Sequence, residues 1–226
     1  MKDRPILFSG PMVRAILAGT KTQTRRVVKC HPILGGASDW CERAAAGDTE
    51  LNRIRRFVGD YRRFCPYGAP GDLLWVRETF SPTDSSGMAC QIGDAAFAVL
   101  RDGTQVYPDG EIIPPSVGGY APNAFDRCKF RPSIHMPRWA SRLTLRITDV
   151  RVERLNAISE ADAIAEGVER FDTGFRDYTR PRPGEPTGAC FAEARDSFES
   201  LWESINGAGS WAANPWVWVV GFEVVR

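Results

Sequence analysis

A mixed α+β fold built on a small β-barrel is what this sequence predicts, and three observations predict it. Leu143, Leu145 and Ile147 alternate with Thr144, Arg146 and Thr148, the period-2 pattern of a half-buried strand, and the pattern continues towards Leu155. Other strand-like segments lie far apart along the chain, interrupted by short helices and turn-rich loops, as in small barrels with flanking helices. The 226 residues are 43% hydrophobic and 25% charged, an ordinary globular balance that excludes a disordered or fibrous protein and allows a sizeable core. There is no internal repeat and no clear linker, so residues 1–226 are expected to form a single domain, with insertions near 31–63, 81–127 and 170–190.

In chain order, Ser9-Gly10-Pro11 followed by MVRAILAG predicts a short helix with a polar cap, proline in the first turn, apolar Met12, Ile16 and Leu17, and Gly19 as its stop. Thr22 to Val28 is rich in β-branched residues and reads as a strand, and so does DLLWVRETF at 72–80. Ser159 with Asp162 three residues on resembles a capping box opening the helix SEADAIAEGV, which Gly167 ends. Phe191, Ala194, Phe198, Leu201, Trp202 and Ile205 recur at helical spacing before Asn206-Gly207, and WVWVVGFEVV at 216–225 is apolar enough for a central strand. The stretches 81–127 and 170–190 are crowded with Gly, Pro, Ser and Asp and read mainly as loops.

Charge narrows the partners. The net charge of +1 gives no bulk attraction to nucleic acid or membrane, but residues 1–63 carry 13 Lys/Arg against 6 Asp/Glu, with Arg53, Arg55, Arg56, Arg62 and Arg63 clustered in the first insertion. No apolar stretch reaches the roughly 18–20 residues that span a bilayer, and MKDRPILFSGP lacks a signal-peptide core, so no membrane partner and a cytoplasmic location are expected. Six cysteines without a C-x-x-C pair are expected as free thiols, and two histidines, His31 and His135, make a metal site an unfavoured reading. Phosphate-loop, dinucleotide-binding, nucleophile-elbow and zinc-deaminase signatures are all missing from the chain.

The densest polar constellation is Gly19-Thr20-Lys21-Thr22-Gln23-Thr24-Arg25-Arg26. On a strand, Thr22, Thr24 and Arg26 would share a face, and a turn after Gly19 would let Lys21 approach Thr24. A lysine beside fixed positive charges favours its neutral amine, which can take the proton of a threonine hydroxyl, giving a nucleophile without histidine. A solvated basic strand edge is the commoner use of such a stretch. Glu166 sits one residue before Gly167, at the negative end of a helix dipole, where it costs about 0.3–1 kcal/mol unless a cation from elsewhere, Lys21 or Arg26, compensates. A water-exposed glutamate tolerating that penalty is an equal alternative. Tyr67 and Trp75 flank Gly68-Ala69-Pro70-Gly71, and Trp211 stands in the loop Gly209-Ser210-Trp211-Ala212, the best prospect for an exposed ring that stacks on a base. Core packing is the commoner use of such rings.

The segments ILAGTKTQTRR (16–26), GDLLWVRETF (71–80), RLTLRITDVRVERLNAISEADAIAEGV (142–168) and LWESINGAGSWAANPWVWVVGFEVV (201–225) resemble an ASCH domain over about half of the chain, most specifically in G-x-K-T-x-T-x-R at 19–26. The resemblance implies a PUA-like fold, a compact mixed β-barrel with flanking helices and a cleft beside the first helix-to-strand connection. Some small members are amidohydrolases that remove the acyl group from 4-N-acetylcytidine and related acylated cytosines. Their lysine, threonine and glutamate match Lys21, Thr24 and Glu166, which implies a catalytic set here, and their arginine matches Arg26. Substrate-binding roles are expected for Arg26, Thr22, Tyr67, Trp75 and Trp211, with no cofactor and no metal. The expected function is therefore hydrolysis of the exocyclic amide of a 4-N-acylated cytosine, with a modified nucleoside or nucleobase as substrate. The alternative is an RNA-binding module, with or without ribonuclease activity, using the same cleft and the cationic insertion.

Overall fold

The computed structural model describes residues 1–28, 65–85, 88–114, 129–179 and 190–225. They gather into two compact units, one of Met1–Gly10, Asp72–Arg146 and Val224–Arg226, the other of Pro11–Gly71 and Ile147–Glu223. The first insertion, with Arg53, Arg55, Arg56, Arg62 and Arg63, lies outside the described residues, as do 115–128 and 180–189.

In the first unit, β1 (Asp3–Leu7) runs parallel to β3 (Leu73–Arg77), which pairs antiparallel with the start of β8 (Thr144–Arg154) through Leu73↔Arg146, Leu74↔Leu145 and Trp75↔Thr144. The strand expected over 72–80 is broken at Glu78-Thr79, where the Glu78 N–H donates to Met136 Sδ at 3.1 Å, and Phe80 opens a different sheet. That sheet corrects the reading of 81–127 as mainly loop. It is an antiparallel meander of β4 (Phe80–Thr83), β5 (Phe97–Leu100), β6 (Gln105–Val106) and β7 (Ile112–Ile113). Asp102-Gly103 and Asp109-Gly110 make its two tight turns: each aspartate Oδ1 accepts from the N–H two residues on, at 3.0 Å, and each glycine sits at positive φ. The turn formers are thus punctuation between short strands. Phe80, Leu100 and Val106 are fully buried with Ala98, Met136 and Ala140, each large apolar side chain contributing about 1.5–3 kcal/mol. Arg142 forks onto Glu78 at 2.9 and 2.8 Å and also reaches Asp102 and Thr104, tying the first of these turns to the end of β3.

In the second unit, the rest of β8 is followed in strand order by β12 (Trp216–Val224) and β2 (Gln23–Val27). Among the described residues three α-helices belong here: α1 (Gly10–Leu17), α2 (Glu160–Ala165) and α3 (Ala194–Asn206). Ser159 caps α2 as expected, its hydroxyl accepting from the Asp162 N–H at 3.1 Å. Phe191, read as helical, lies instead in β11 (Cys190–Phe191), which pairs with β10 (Gly174–Arg176), and β10 with β9 (Arg170–Phe171). This small sheet corrects the reading of 170–190 as mainly loop at its described ends. Gly174 is obligatory in it, because a Cβ there would lie 2.4 Å from the Phe191 carbonyl oxygen. The core joins Leu155, Ile158, Phe198, Trp202, Trp211, Val217 and Val219.

The molecule is mixed α+β, but among the described residues no sheet closes into the expected barrel. Among the described residues β1 pairs only with β3 and β2 only with β12, so the five-stranded order has open ends. No helix among the described residues is long and apolar enough to cross a membrane.

Candidate active site

The site begins where α1 ends. Gly19, at φ +74°, turns the chain back, so that the N–H groups of Thr20 and Lys21 both donate to the Ala15 carbonyl at 2.9 and 3.1 Å. Lys21 and Thr22 are strapped to the end of α2: Lys21 forms a bridge with Glu166, and the Thr22 N–H donates to the Ala165 carbonyl at 2.9 Å. Gly167, at φ +81°, ends α2 where the Lys21 side chain passes, and a Cβ on it would stand 2.8 Å from Lys21 Cβ.

Lys21 and Glu166 are 2% and 3% exposed. The Lys21 amine donates to the Glu166 carbonyl oxygen at 2.7 Å and to Glu166 Oε2 at 3.0 Å. The cation that a glutamate at this helix end lacked in its own helix is therefore supplied by Lys21, across 145 residues. Burial holds the Lys21 amine below the ordinary lysine range; Glu166 pulls it back up, and Arg26 and Arg25 add to the depression.

Arg25, which the sequence reading passed over, is the centre of the arrangement. Although only 4% exposed, its Nη1 donates to Glu166 Oε1 at 3.1 Å, and its Nη2 donates to Glu153 Oε2 at 3.1 Å and lies 3.3 Å from Asp162 Oδ2. Its guanidinium also lies over the Phe198 ring of α3, 5.9 Å from the centroid. Arg151 braces the same carboxylates, donating to Glu153 and Asp162 at 2.5 and 3.0 Å, and Gln23 donates to the Asp162 carbonyl at 3.0 Å. Two signals for this cluster were present in the sequence. Asp162 and Glu166 are four apart, on one helix face, and neighbouring arginines on a strand must face opposite ways, so Arg25 and Arg26 cannot serve one surface.

The other expected site residues divide. Thr24 is buried on β2, opposite Val220 of β12, on the face away from Gln23 and Arg25, and shares no hydrogen bond with Lys21 or Glu166. Arg26 follows on Thr24's face and is close enough to Lys21 and Tyr67 to bias both. Burial pushes the Tyr67 phenol up, Arg26 pulls it back, and Cys65 adds to the rise. Thr22 precedes the strand, which starts at Gln23, so it does not share a strand face with Thr24 and Arg26 as expected; its side chain is exposed. Trp75 belongs to the first unit, buried with Arg77 4.7 Å and Arg138 5.8 Å from its ring centroid. Trp211 is a correction: its ring is 7% exposed and packs edge-on against Phe198, because the apolar face of α3 covers it.

No family model, no curated protein and no solved structure matches this chain.

Proposed function

We propose that the chain is a cytoplasmic, metal-independent amidohydrolase of the PUA-like ASCH type that removes the acyl group from 4-N-acylated cytosine or cytidine. The observation that carries this reading is the buried amine of Lys21 held by two acceptors of one residue. Burial favours the neutral form of this amine, whose nitrogen can accept a proton, and the Glu166 carbonyl and Oε2 hold it in place as they accept from it. Thr24 Oγ1 attacks the acyl carbon as its proton passes to Lys21 Nζ, and that proton moves on to the exocyclic nitrogen as the C–N bond breaks. Water then attacks the threonine ester, gives a proton to Lys21, and the carboxylic acid leaves as Thr24 regains its hydrogen. Arg26, on Thr24's face, polarises the acyl oxygen or holds a polar part of the substrate, and Tyr67 lies in its neighbourhood.

The test is release of cytidine from 4-N-acetylcytidine in the presence of chelator. Thr24→Val keeps the buried shape, should unfold at close to the parent temperature, and should lose about 10³-fold or more in turnover. Full activity in that variant refutes the nucleophile; no release from acetylated or bulkier acylated cytosines refutes the activity. Salt-dependent binding of a short RNA would then favour the RNA-binding alternative.

A further inference from the structure

We propose that Arg25 is the positioning residue of this site, holding one oxygen of Glu166 so that the other faces Lys21, and serving as the permanent counter-ion that lets Lys21 be neutral. The inference rests on Lys21 as the general base. A buried lysine and glutamate left to themselves have two good states: both charged, or both neutral with the proton on the carboxylate. In neither is the amine a base beside an ionised glutamate. Arginine changes this because it does not lose its proton. With Nη1 of Arg25 on Oε1, a cation that does not titrate engages one oxygen of Glu166, and Oε2 is left as the acceptor for the amine.

The charges around Lys21 fit that role. Glu166 meets it from the end of α2, and Arg25 and Arg26, on opposite faces of β2, are both near enough to bias it. Arg25 in turn meets Glu153 of β8 and Asp162 of α2, which Arg151 also binds. Arg151 also lies 3.7 Å from Asp149, so this network runs out to the surface, and its buried part is Lys21, Arg25 and Glu166. Burial of Arg25 at 4% exposure serves no surface purpose, and its fork spans three carboxylates from two elements, which gives Glu166 a fixed direction that a lone lysine contact does not.

The test follows the Lys21 amine through its titration by NMR of its ε-carbon, assigned against Lys21→Ala, together with the pH profile of kcat/KM. Arg25→Met should move the titration, and the rising limb of the profile, up by about one pH unit, so that activity falls about tenfold below the limb and recovers above it. Arg25→Lys should return the limb most of the way. Glu153→Gln removes a competitor for Arg25 from a partly exposed position and should move the limb down. A Lys21 titration unchanged in Arg25→Met and Glu153→Gln, with activity lost equally at every pH, overturns the proposal. Should Arg25→Met not fold, Glu153→Gln decides alone, an unmoved titration being the overturning result. If the parent protein releases no cytidine, the amine titration still decides the role of Arg25, while the amidohydrolase reading fails separately.

Discussion

Gly167 occupies a conformation that side-chain-bearing residues reach only with strain, at φ +81°, and does so directly over Lys21. A methyl group there would press on Lys21 Cβ at 2.8 Å and on Ala15 Cβ at 3.0 Å, both close to backbone and unable to swing aside. Gly167→Ala is therefore expected to cost about 1–3 kcal/mol in urea unfolding, from the backbone conformation alone. It should also push Lys21 off the Glu166 oxygens, so that turnover falls by more than the loss of stability explains at temperatures where the variant stays folded. A variant as stable and active as the parent would show that Lys21 does not depend on this packing. The same scale explains why the sequence made Glu166 conspicuous and Arg25 invisible. A glutamate at the wrong end of a helix violates a local rule, whereas an arginine on a strand violates none, and its burial is decided by carboxylates 128 to 141 positions away.

At the scale of elements, α2 and α3 are joined by a cap that neither helix supplies for itself. Glu193, at the N-cap of α3, makes no side-chain cap bond; instead the Glu160 carboxylate, in the first turn of α2, accepts from the Ala194 and Arg195 N–H groups. An anion at the positive end of α3 is favourable twice, as acceptor and as charge. Glu160→Ala should cost about 1 kcal/mol and speed amide exchange at Ala194 and Arg195 before the rest of α3. Unchanged exchange at those two amides would refute the cap. Elements of this local kind were the legible part of the fold. The ends of α1 and α2, the alternation of β8 and the apolar run of β12 follow from caps, glycine stops and periodicity within a few residues. The β4–β7 meander is legible in RDGTQV and PDGEII, where each Asp-Gly marks a hairpin turn, whereas the density of Gly, Pro, Ser and Asp over 81–127 as a whole has the composition of loop. Sheet closure, the burial of Trp211 in a Gly/Ser-rich loop and the convergence at Glu166 depend on partners far along the chain, and no local pattern encodes them.

At the scale of the whole molecule, each unit carries an aspartate whose acidity ties stability to pH. Burial alone would raise Asp162, but Arg25 and Arg151 more than reverse it; burial would likewise raise Asp102, but the Thr104 N–H and Arg142 hold it low. Both therefore sit below the ordinary aspartate value of 3.8, and the stability they add is complete above that value and lost as pH falls through their folded-state values. Asp162→Asn should lower the unfolding temperature at pH 7, with the gap to the parent closing as the pH is taken below 3.8. A gap that stays constant down to strong acid would remove Asp162 from this account. The contact between Lys21 and Glu166 has a consequence of another kind, in time. Helix α1 and the turn at Gly19 need only neighbouring residues, but the amine meets its carboxylate only after a loop of 145 positions has closed. During synthesis, a nascent chain that has exposed the whole of G-x-K-T-x-T-x-R holds a lysine in water, at its ordinary basicity and chemically idle. The proposed chemistry switches on when the last third of the polypeptide arrives, which makes this pair a clock hand for completed folding.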